Sequence, residues 1–225
     1  MIQAYFFDLD GTLVDTEILW VEAMEQLAHD HGCSLTRDQA LQMVYGISWP
    51  GVFERFRAQF PGLTWTLDEM GVMLAPYFNR LRDERDILIP GSIRLLRKLA
   101  ETTPVAIVSG SYRADVETAI RHMDIGAVIT FYLGHEDYAP GKPHPACYVT
   151  AAQKLGVAPE HCVVFEDSDA GLHAAKDAGM YGVALARPGR PGQEYSRADI
   201  ILSDLAEFKP EMLSGAAHNI KRNSE

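Results

Sequence analysis

Short apolar runs alternate with helical patterns over most of the chain. An apolar run precedes Asp8, and further runs lie at 105–109, 127–133, 162–166 and 183–186. Between them, apolar side chains recur at helical spacing over 90–99, 114–123, 145–155 and 172–178. Strands that alternate with helices pair in parallel, so the pattern predicts an α/β fold with a doubly wound, Rossmann-like parallel sheet as its core.

The segment at 16–87 has a different pattern, in which helical periodicity continues without a convincing strand. Capping boxes at Thr36–Gln39 and Thr66–Glu69 predict two helix starts, and Pro76 should kink or shorten the last helix. We therefore expect residues 1–15 and 88–225 to form the core and 16–87 to form an inserted all-helical cap domain. An insert directly after the first strand suits a lid that excludes water, although it could also merely cover surface.

Composition narrows the classes of function. A hydrophobic content of 47% supports a full-sized core, and a net charge of −11 disfavours nucleic acids and anionic membrane surfaces as partners. The three cysteines are widely spaced, which argues against zinc or a disulfide framework. With no signal-peptide pattern and no apolar run of membrane-spanning length, we expect a cytoplasmic protein.

The first apolar run ends on two acids, Asp8 and Asp10, and Gly11 and Thr12 follow at once. Such a strand would deliver both carboxylates to the carboxyl edge of the sheet, where open α/β sheets bind ligands. Two neighbouring carboxylates repel each other, so a cation or a shared proton must offset their charge. An Asx turn remains an alternative, whereas a calcium loop does not fit, because Gly11 comes too early.

Three more polar groups follow predicted strands or precede a predicted helix: Ser109, Lys142 and the pair Glu166-Asp167. Singly, each could be a turn, helix-capping or solvated residue. Together they suit phosphoryl transfer, in which a carboxylate approaching a phosphate meets a repulsion of about 4 kcal/mol per charge pair at roughly 4 Å. Mg²⁺ held by acidic oxygens would remove that repulsion, and Lys142 would neutralise phosphate oxygens.

Four motifs together resemble those of the haloacid dehalogenase superfamily. They are Phe-Asp-Leu-Asp-Gly-Thr-Leu-Val-Asp-Thr at 7–16, Ile-Val-Ser-Gly-Ser at 107–111, Gly-Lys-Pro-His-Pro at 141–145 and Phe-Glu-Asp-Ser at 165–168. Their order and spacing are similar to the branch with a small helical cap after the first strand. That branch contains β-phosphoglucomutase-like and sugar-phosphate phosphatase proteins.

The resemblance implies a role for each matching residue. Asp8 would be the nucleophile that forms an aspartyl-phosphate, and Asp10 the general acid and then the base. Mg²⁺ would be held by Asp8, the Asp10 backbone carbonyl and Asp167, with Glu166 direct or through water. The implied phosphate-binding set is Leu9, Gly11, Thr12, Ser109, Gly110 and Lys142. Gly110 and Ala146 depart from the residues common in this branch, which puts loop rigidity and substrate fit in question.

Other features separate reactions within the superfamily. Dehalogenases lack the second acid, which is present here as Asp10, and the cap lysine of phosphonatases has no counterpart because 16–86 contains no lysine. Trp20 and Trp49 stand where mutases carry a histidine and an arginine. We therefore expect a Mg²⁺-dependent phosphatase, a phosphoric monoester hydrolase, that acts on a small phosphorylated metabolite, with sugar phosphates first. A β-phosphoglucomutase-type phosphomutase is the alternative, and a non-enzymatic relative that binds phosphate or a partner is the second.

The predicted cap also supplies candidate substrate residues. The turn at 45–51 resembles the cap turn that faces the site in this branch, and aromatic rings and hydroxyls suit a sugar. The candidates are Glu17, Trp20, Tyr45, Gly46, Ser48 and Trp49. Trp20 and Trp49 could equally belong to the core of the cap. We expect a monomer, with a dimer left open.

Overall fold

The computed structural model describes residues 1–47, 49–191 and 193–213. The chain divides into two compact units. The helical unit comprises Asp15–Ile87 and Gly189–Pro191. Of the described residues, the core unit comprises Met1–Val14, Leu88–Pro188 and 193–213.

The described part of the helical unit contains four helices: α1 (Thr16–Asp30), α2 (Arg37–Val44), α3 (Trp49–Gln59) and α4 (Leu67–Glu84). Helix α1 packs against both α2 and α4. The two predicted capping boxes are present: the Thr36 and Thr66 side chains accept hydrogen bonds from the backbone N–H groups of Gln39 and Glu69, at 3.3 and 3.2 Å. Pro76 does not end α4, which continues to Glu84.

A buried carboxylate joins three parts of the helical unit. Glu22 on α1 pairs with Arg37 at 3.0 Å and with Arg85 at 2.7 Å. Burial alone would raise the pKa of Glu22, but the hydrogen bonds and charges of Arg85 and Arg37 lower it below its usual value. This Glu22 ion cluster therefore stabilises the packing of α1 against its neighbours while Glu22 is ionised.

The core unit is built on a parallel sheet. Among the described residues it has six strands: β1 (Ala4–Phe7), β2 (Val105–Val108), β3 (Phe131–Leu133), β4 (Cys162–Glu166), β5 (Tyr181–Leu185) and β6 (Ile200–Leu202). They lie in the order β3-β2-β1-β4-β5-β6, and every neighbouring pair is parallel. The predicted α/β, Rossmann-like class is confirmed. Because the strand order reverses between β1 and β4, the ligand crevice of such a sheet opens beyond the ends of these two strands.

Helices α5 (Pro90–Ala100), α6 (Arg113–Met123), α7 (Ala146–Leu155) and α8 (Asp169–Asp177) belong to the core unit. Alternate side chains of β1 enter different layers. Phe6 packs near Tyr148 of α7, with ring centroids 6.4 Å apart, whereas Phe7 stacks on Phe165 of β4 at 4.4 Å. Both faces of the sheet are thus buried, which explains the continuous apolar runs. Within the described residues, no helix is long and apolar enough to cross a membrane.

Two details of the sheet differ from the predicted pattern. The apolar run at 127–133 yields a strand only at Phe131–Leu133, because the N–H groups of Val128 and Ile129 bond back to the carbonyl of Ile125 in a turn. Strand β6 was not predicted. Its three residues give too short a run for periodicity, and β5 supplies the edge on which they pair.

Candidate active site

The loop after β1 is held in a defined position in the core unit. The Asp8 N–H donates to the carbonyl of Phe165 at 3.0 Å, which continues the β1–β4 pairing and fixes Asp8 beside the end of β4. The Leu9 carbonyl accepts the N–H of Leu13 at 2.8 Å and that of Val14 at 3.0 Å. The Leu9 side chain is buried, so any contact of this residue with phosphate must come from its backbone.

Gly11 allows this loop to approach the end of β4. Its φ is +82°, a left-handed conformation that glycine adopts readily. A Cβ atom there would lie 2.0 Å from a carboxylate oxygen of Asp167, so a larger residue would displace that carboxylate. Thr12 adds a hydrogen bond from Oγ1 to Asp167 Oδ1 at 3.2 Å. The Gly-Thr pair of the first motif therefore positions the acid of the fourth motif.

Lys142 joins three of the predicted site elements. Its Nζ donates to Asp8 Oδ1 at 2.6 Å, to Glu166 Oε1 at 2.7 Å and to the carbonyl of Val108 at 3.1 Å. These three acceptors match the three N–H donors of an ammonium group. Because the Lys142 side chain is only 12% exposed, it is not a solvated loop charge.

Glu166 accepts hydrogen bonds from two hydroxyl groups in addition to the Lys142 ammonium. Its Oε1 atom also accepts the Tyr148 hydroxyl at 2.7 Å, and its Oε2 atom accepts the Ser168 hydroxyl at 3.0 Å. A Cβ atom on Gly171 would lie 1.8 Å from Oε1, so the absence of a side chain there makes room for the carboxylate. Glu166 is fully buried, and both of its oxygens have donors.

Asp10 has a separate set of partners after β2. Its Oδ2 accepts the Ser111 hydroxyl at 2.5 Å and the Ser109 hydroxyl at 3.4 Å. The Ser111 N–H donates to Ser109 Oγ at 3.0 Å, and the Tyr138 hydroxyl donates to the Ser109 carbonyl at 2.6 Å. Gly110 lies exposed between the two serines. The two acids of the first motif thus differ in surroundings: Asp8 contacts a lysine, and Asp10 contacts hydroxyl groups.

Three carboxylates come close enough to share a metal ion. Asp8, Glu166 and Asp167 each offer an oxygen, and these oxygens lie within 4.8 Å of one another; within the described part of the chain, this is the acidic cluster with such geometry. The Asp10 side chain is not part of it, and the expected contribution of the Asp10 carbonyl stays a prediction. An all-oxygen donor set of this kind fits a hard divalent cation such as Mg²⁺.

The charges in the cluster support the same conclusion. Burial raises the pKa of Asp8 well above its usual value, and the charges of Glu166 and Asp10 raise it further, while Lys142 opposes them. Burial alone would lower the pKa of Lys142, but the Asp8 and Glu166 carboxylates raise it well above its usual range. Lys142 therefore stays charged, and a bound cation would oppose the rise in the pKa of Asp8 by favouring its ionised form.

Two predicted substrate residues of the helical unit belong to an aromatic cluster. The Trp20 ring stacks on Phe78, with centroids 3.9 Å apart, and lies 5.1 Å from the ring of Trp49. All three side chains are half-buried. Partial burial fits both a packing role and a substrate-contacting role, so their assignment to the substrate stays a prediction.

The turn before α3 carries the other candidates. The Gly46 N–H donates to the Glu17 carboxylate at 3.1 Å, and the Tyr45 hydroxyl donates to Asp15 Oδ1 at 3.4 Å. Glu17 and Tyr45 thereby tie this turn to the start of α1. Ser48 lies outside the described residues. The substrate roles of the four remain predictions.

Four residues that contact the acids of the core-unit site were not predicted as functional from the sequence: Ser111, Tyr148, Ser168 and Gly171. Ser111 and Ser168 lie within the four motifs, so a polar residue close to a predicted catalytic or metal-binding acid is a usable signal. Tyr148 and Gly171 gave no such signal. The first is the third residue of α7 and the second lies in the first turn of α8, where a helical pattern indicates only packing.

Comparison with known proteins gives consistent matches. A probable pseudouridine-5'-phosphatase from Drosophila melanogaster is 32% identical over 91% of this chain and 90% of its own length. Validoxylamine A 7'-phosphate phosphatase from Streptomyces hygroscopicus subsp. limoneus is 30% identical over 93% and 97%. The structure of CbbY from Rhodobacter sphaeroides in complex with phosphate superposes with a TM-score of 0.77 at 26% identity, covering 95% of this chain and 100% of that one.

The family profile described as haloacid dehalogenase-like hydrolase matches residues 5–185. This range includes all four motifs on which the resemblance was based, and the resemblance is confirmed. The chain belongs to the haloacid dehalogenase-like hydrolase family.

Proposed function

We propose that this protein is a Mg²⁺-dependent phosphatase that hydrolyses a small phosphorylated metabolite through an aspartyl-phosphate on Asp8. One observation carries the proposal: Asp8 lies buried at the end of β1, 2.6 Å from the Lys142 ammonium, and shares a 4.8 Å cluster with Glu166 and Asp167. A carboxylate beside a fixed cation and a second acidic site is the arrangement that phosphoryl transfer to an aspartate needs.

The proposed substrate is a small phosphate monoester, with a sugar phosphate as the first candidate. Both curated relatives described above carry names of phosphatases that act on small phosphorylated compounds, which supports this class. The net charge of −11 supports the absence of a nucleic-acid or anionic-membrane partner. A cytoplasmic location and a monomeric state remain predictions.

In the first step, Lys142 and Ser109 would bind oxygens of the phosphoryl group, and the N–H groups of the loop after β1 would orient it. An Asp8 oxygen attacks phosphorus, and the bond from phosphorus to the leaving oxygen breaks. Asp10 gives its proton to that oxygen, so the product leaves as an alcohol. Mg²⁺, when bound by Asp8, Asp167 and their neighbours, offsets the negative charge that accumulates on the phosphoryl oxygens.

In the second step, Asp10 is the base. It takes a proton from a water molecule, whose oxygen attacks phosphorus and breaks the bond to Asp8. Inorganic phosphate leaves, and both aspartates return to their starting states. The hydrogen bonds from Ser111 and Ser109 to Asp10 Oδ2 orient the carboxylate that carries the proton between these steps.

The test combines a substrate panel with capture of the intermediate. The purified protein with Mg²⁺ should release phosphate from p-nitrophenyl phosphate and, faster, from at least one sugar phosphate. After acid quenching, mass spectrometry should find a phosphate adduct on the peptide that contains Asp8. Isomerisation of β-glucose 1-phosphate without net phosphate release would instead favour the mutase alternative, and no turnover of any phosphate ester would contradict the proposal.

A further inference from the structure

We propose that Tyr148 is a positioning residue for this reaction, acting through Glu166 on Lys142. The Tyr148 hydroxyl and the Lys142 ammonium donate to the same oxygen, Glu166 Oε1, each at 2.7 Å. Lys142 then reaches Asp8 at 2.6 Å. Three hydrogen bonds therefore connect the Tyr148 hydroxyl on α7 with the proposed nucleophile.

The Glu166 carboxylate is fixed from both ends. Tyr148 binds Oε1, and the Ser168 hydroxyl binds Oε2 at 3.0 Å, so rotation of the carboxylate would break at least one bond. The backbone of Gly171 lies directly against the carboxylate, since an added Cβ would lie 1.8 Å from Oε1. With Glu166 fully buried, no solvent is available to replace a lost donor.

The hydroxyl, rather than the ring, carries this role. Tyr148 is completely buried, and its ring packs near Phe6 and lies 5.1 Å from the Lys142 Nζ atom. Phenylalanine would keep both ring contacts and lose only the donor. A buried hydroxyl is unfavourable unless it is bonded, and here its acceptor is a carboxylate.

The hydroxyl also limits how strongly Glu166 attracts Lys142. The Tyr148 hydroxyl donates to Oε1 and so partly offsets its negative charge. The ammonium can therefore remain between Glu166 and Asp8 rather than move towards Glu166 alone. Without the hydroxyl, we expect Lys142 to shift towards Glu166 and away from the position where, under the proposed function on which this inference rests, it binds the phosphoryl group.

The test is Tyr148→Phe, with Tyr132→Phe as the matched control. The Tyr132 hydroxyl also bonds a carboxylate, that of Glu117, but Tyr132 is only partly buried and lies on β3, an edge strand of the sheet. Tyr148→Phe should lower kcat for p-nitrophenyl phosphate about tenfold with KM changed less than about twofold. By calorimetry, it should weaken binding of inorganic phosphate about three- to fivefold, while Tyr132→Phe changes neither quantity.

A second measurement separates positioning from packing. In a Glu166→Gln background, where the carboxylate is already lost, adding Tyr148→Phe should lower kcat by less than about twofold. The proposal is overturned if Tyr148→Phe keeps the wild-type kcat and phosphate affinity, or if the tenfold loss persists in full without the Glu166 charge. Phosphate binding does not require turnover, so a wild-type protein that hydrolyses nothing would refute the proposed function while this readout still tests Tyr148.

Discussion

The charged candidates of the core unit and the aromatic candidates of the helical unit differ in the kind of contact that holds them. Lys142 has three hydrogen-bond acceptors, and Glu166 accepts from three different side chains, all in a buried environment. The aromatic candidates Trp20 and Trp49 are half-buried, and they pack against each other, with Phe78 stacked on Trp20.

This difference indicates a division of labour between chemistry and recognition. In the core unit a substitution leaves a buried charge without its partner, so small changes should have large effects on turnover. At the aromatic positions of the helical unit a substitution changes the shape and area of uncharged rings, which should alter which substrates react more than how fast any substrate reacts. Experiments on matched positions can separate the two.

The largest effect is expected from Asp8→Asn. Asparagine keeps the size of the side chain but lacks the charge and the nucleophilic oxygen, so kcat for p-nitrophenyl phosphate should fall at least about a thousandfold. Asp68→Asn, on the exposed first turn of α4, is the control and should keep wild-type turnover. Substantial turnover by Asp8→Asn would contradict the assignment of Asp8 as the nucleophile.

The second-largest effect is expected from removal of divalent metal ions. With EDTA in excess, phosphate release should fall at least about a hundredfold, because the repulsion among Asp8, Glu166 and Asp167 is then no longer offset. Added Mg²⁺ should restore activity and also raise the Tm of the protein, since a ligand that binds the folded state stabilises it. Undiminished activity in the chelator would refute the metal site.

Gly171→Ala tests the pocket around Glu166. The new methyl group would overlap the carboxylate, which must move or force α8 to shift. We expect kcat to fall about ten- to a hundredfold and stability to fall by about 1–3 kcal/mol. Gly62→Ala in the helical unit is a matched control, because a Cβ there meets no atom within 4 Å. Equal kinetics for the two variants would contradict the importance of the pocket.

Trp49→Leu should change selectivity rather than chemistry. Loss of aromatic area should alter the ratio of kcat/KM for a sugar phosphate to that for p-nitrophenyl phosphate by about three- to tenfold. Trp65→Leu provides a control within the same unit, since Trp65 stacks on Phe56, with ring centroids 5.9 Å apart. If both variants change the ratio equally, Trp49 has only a packing role.

Glu22→Gln should affect stability alone. The variant loses the charge that pairs with Arg37 and Arg85, and we expect a loss of about 1 kcal/mol at pH 7 with kcat unchanged. Because the pKa of Glu22 is lowered on folding, its contribution is present above the unfolded pKa and disappears as the pH falls through the folded value. Denaturation curves for the two proteins should therefore converge in acid; a constant difference down to low pH would argue against the ion cluster.

The patterns most accessible from the sequence were the local ones. Apolar runs gave β1, β2 and β4, and both capping boxes of the helical unit formed as expected, because strand and helix-start signals depend on residues close together in the chain. The short edge strand β6 was missed, since three residues carry no periodicity and pair only because β5 lies beside them.

Only part of the candidate active site could be predicted from the sequence. Motifs at strand ends indicated Asp8 and Glu166, and parallel strands bring such ends to one edge. A motif before a predicted helix indicated Lys142. The roles of Tyr148 and Gly171 were hidden, because both lie in helices whose patterns indicate packing. Only the packing of α7 and α8 on the sheet brings a hydroxyl to Glu166 and leaves space for its carboxylate.

Patterns in the sequence were enough to predict the alternation of strands and helices, and the four motifs were enough to predict the family. These predictions were possible because hydrophobic periodicity and motif order are read from residues close together in the chain. Which groups share each charge depends instead on tertiary contacts. Lys142 and Asp8 are 134 positions apart and Thr12 and Asp167 are 155 apart, so their hydrogen bonds exist only once the sheet has assembled and excluded water from the groups it encloses.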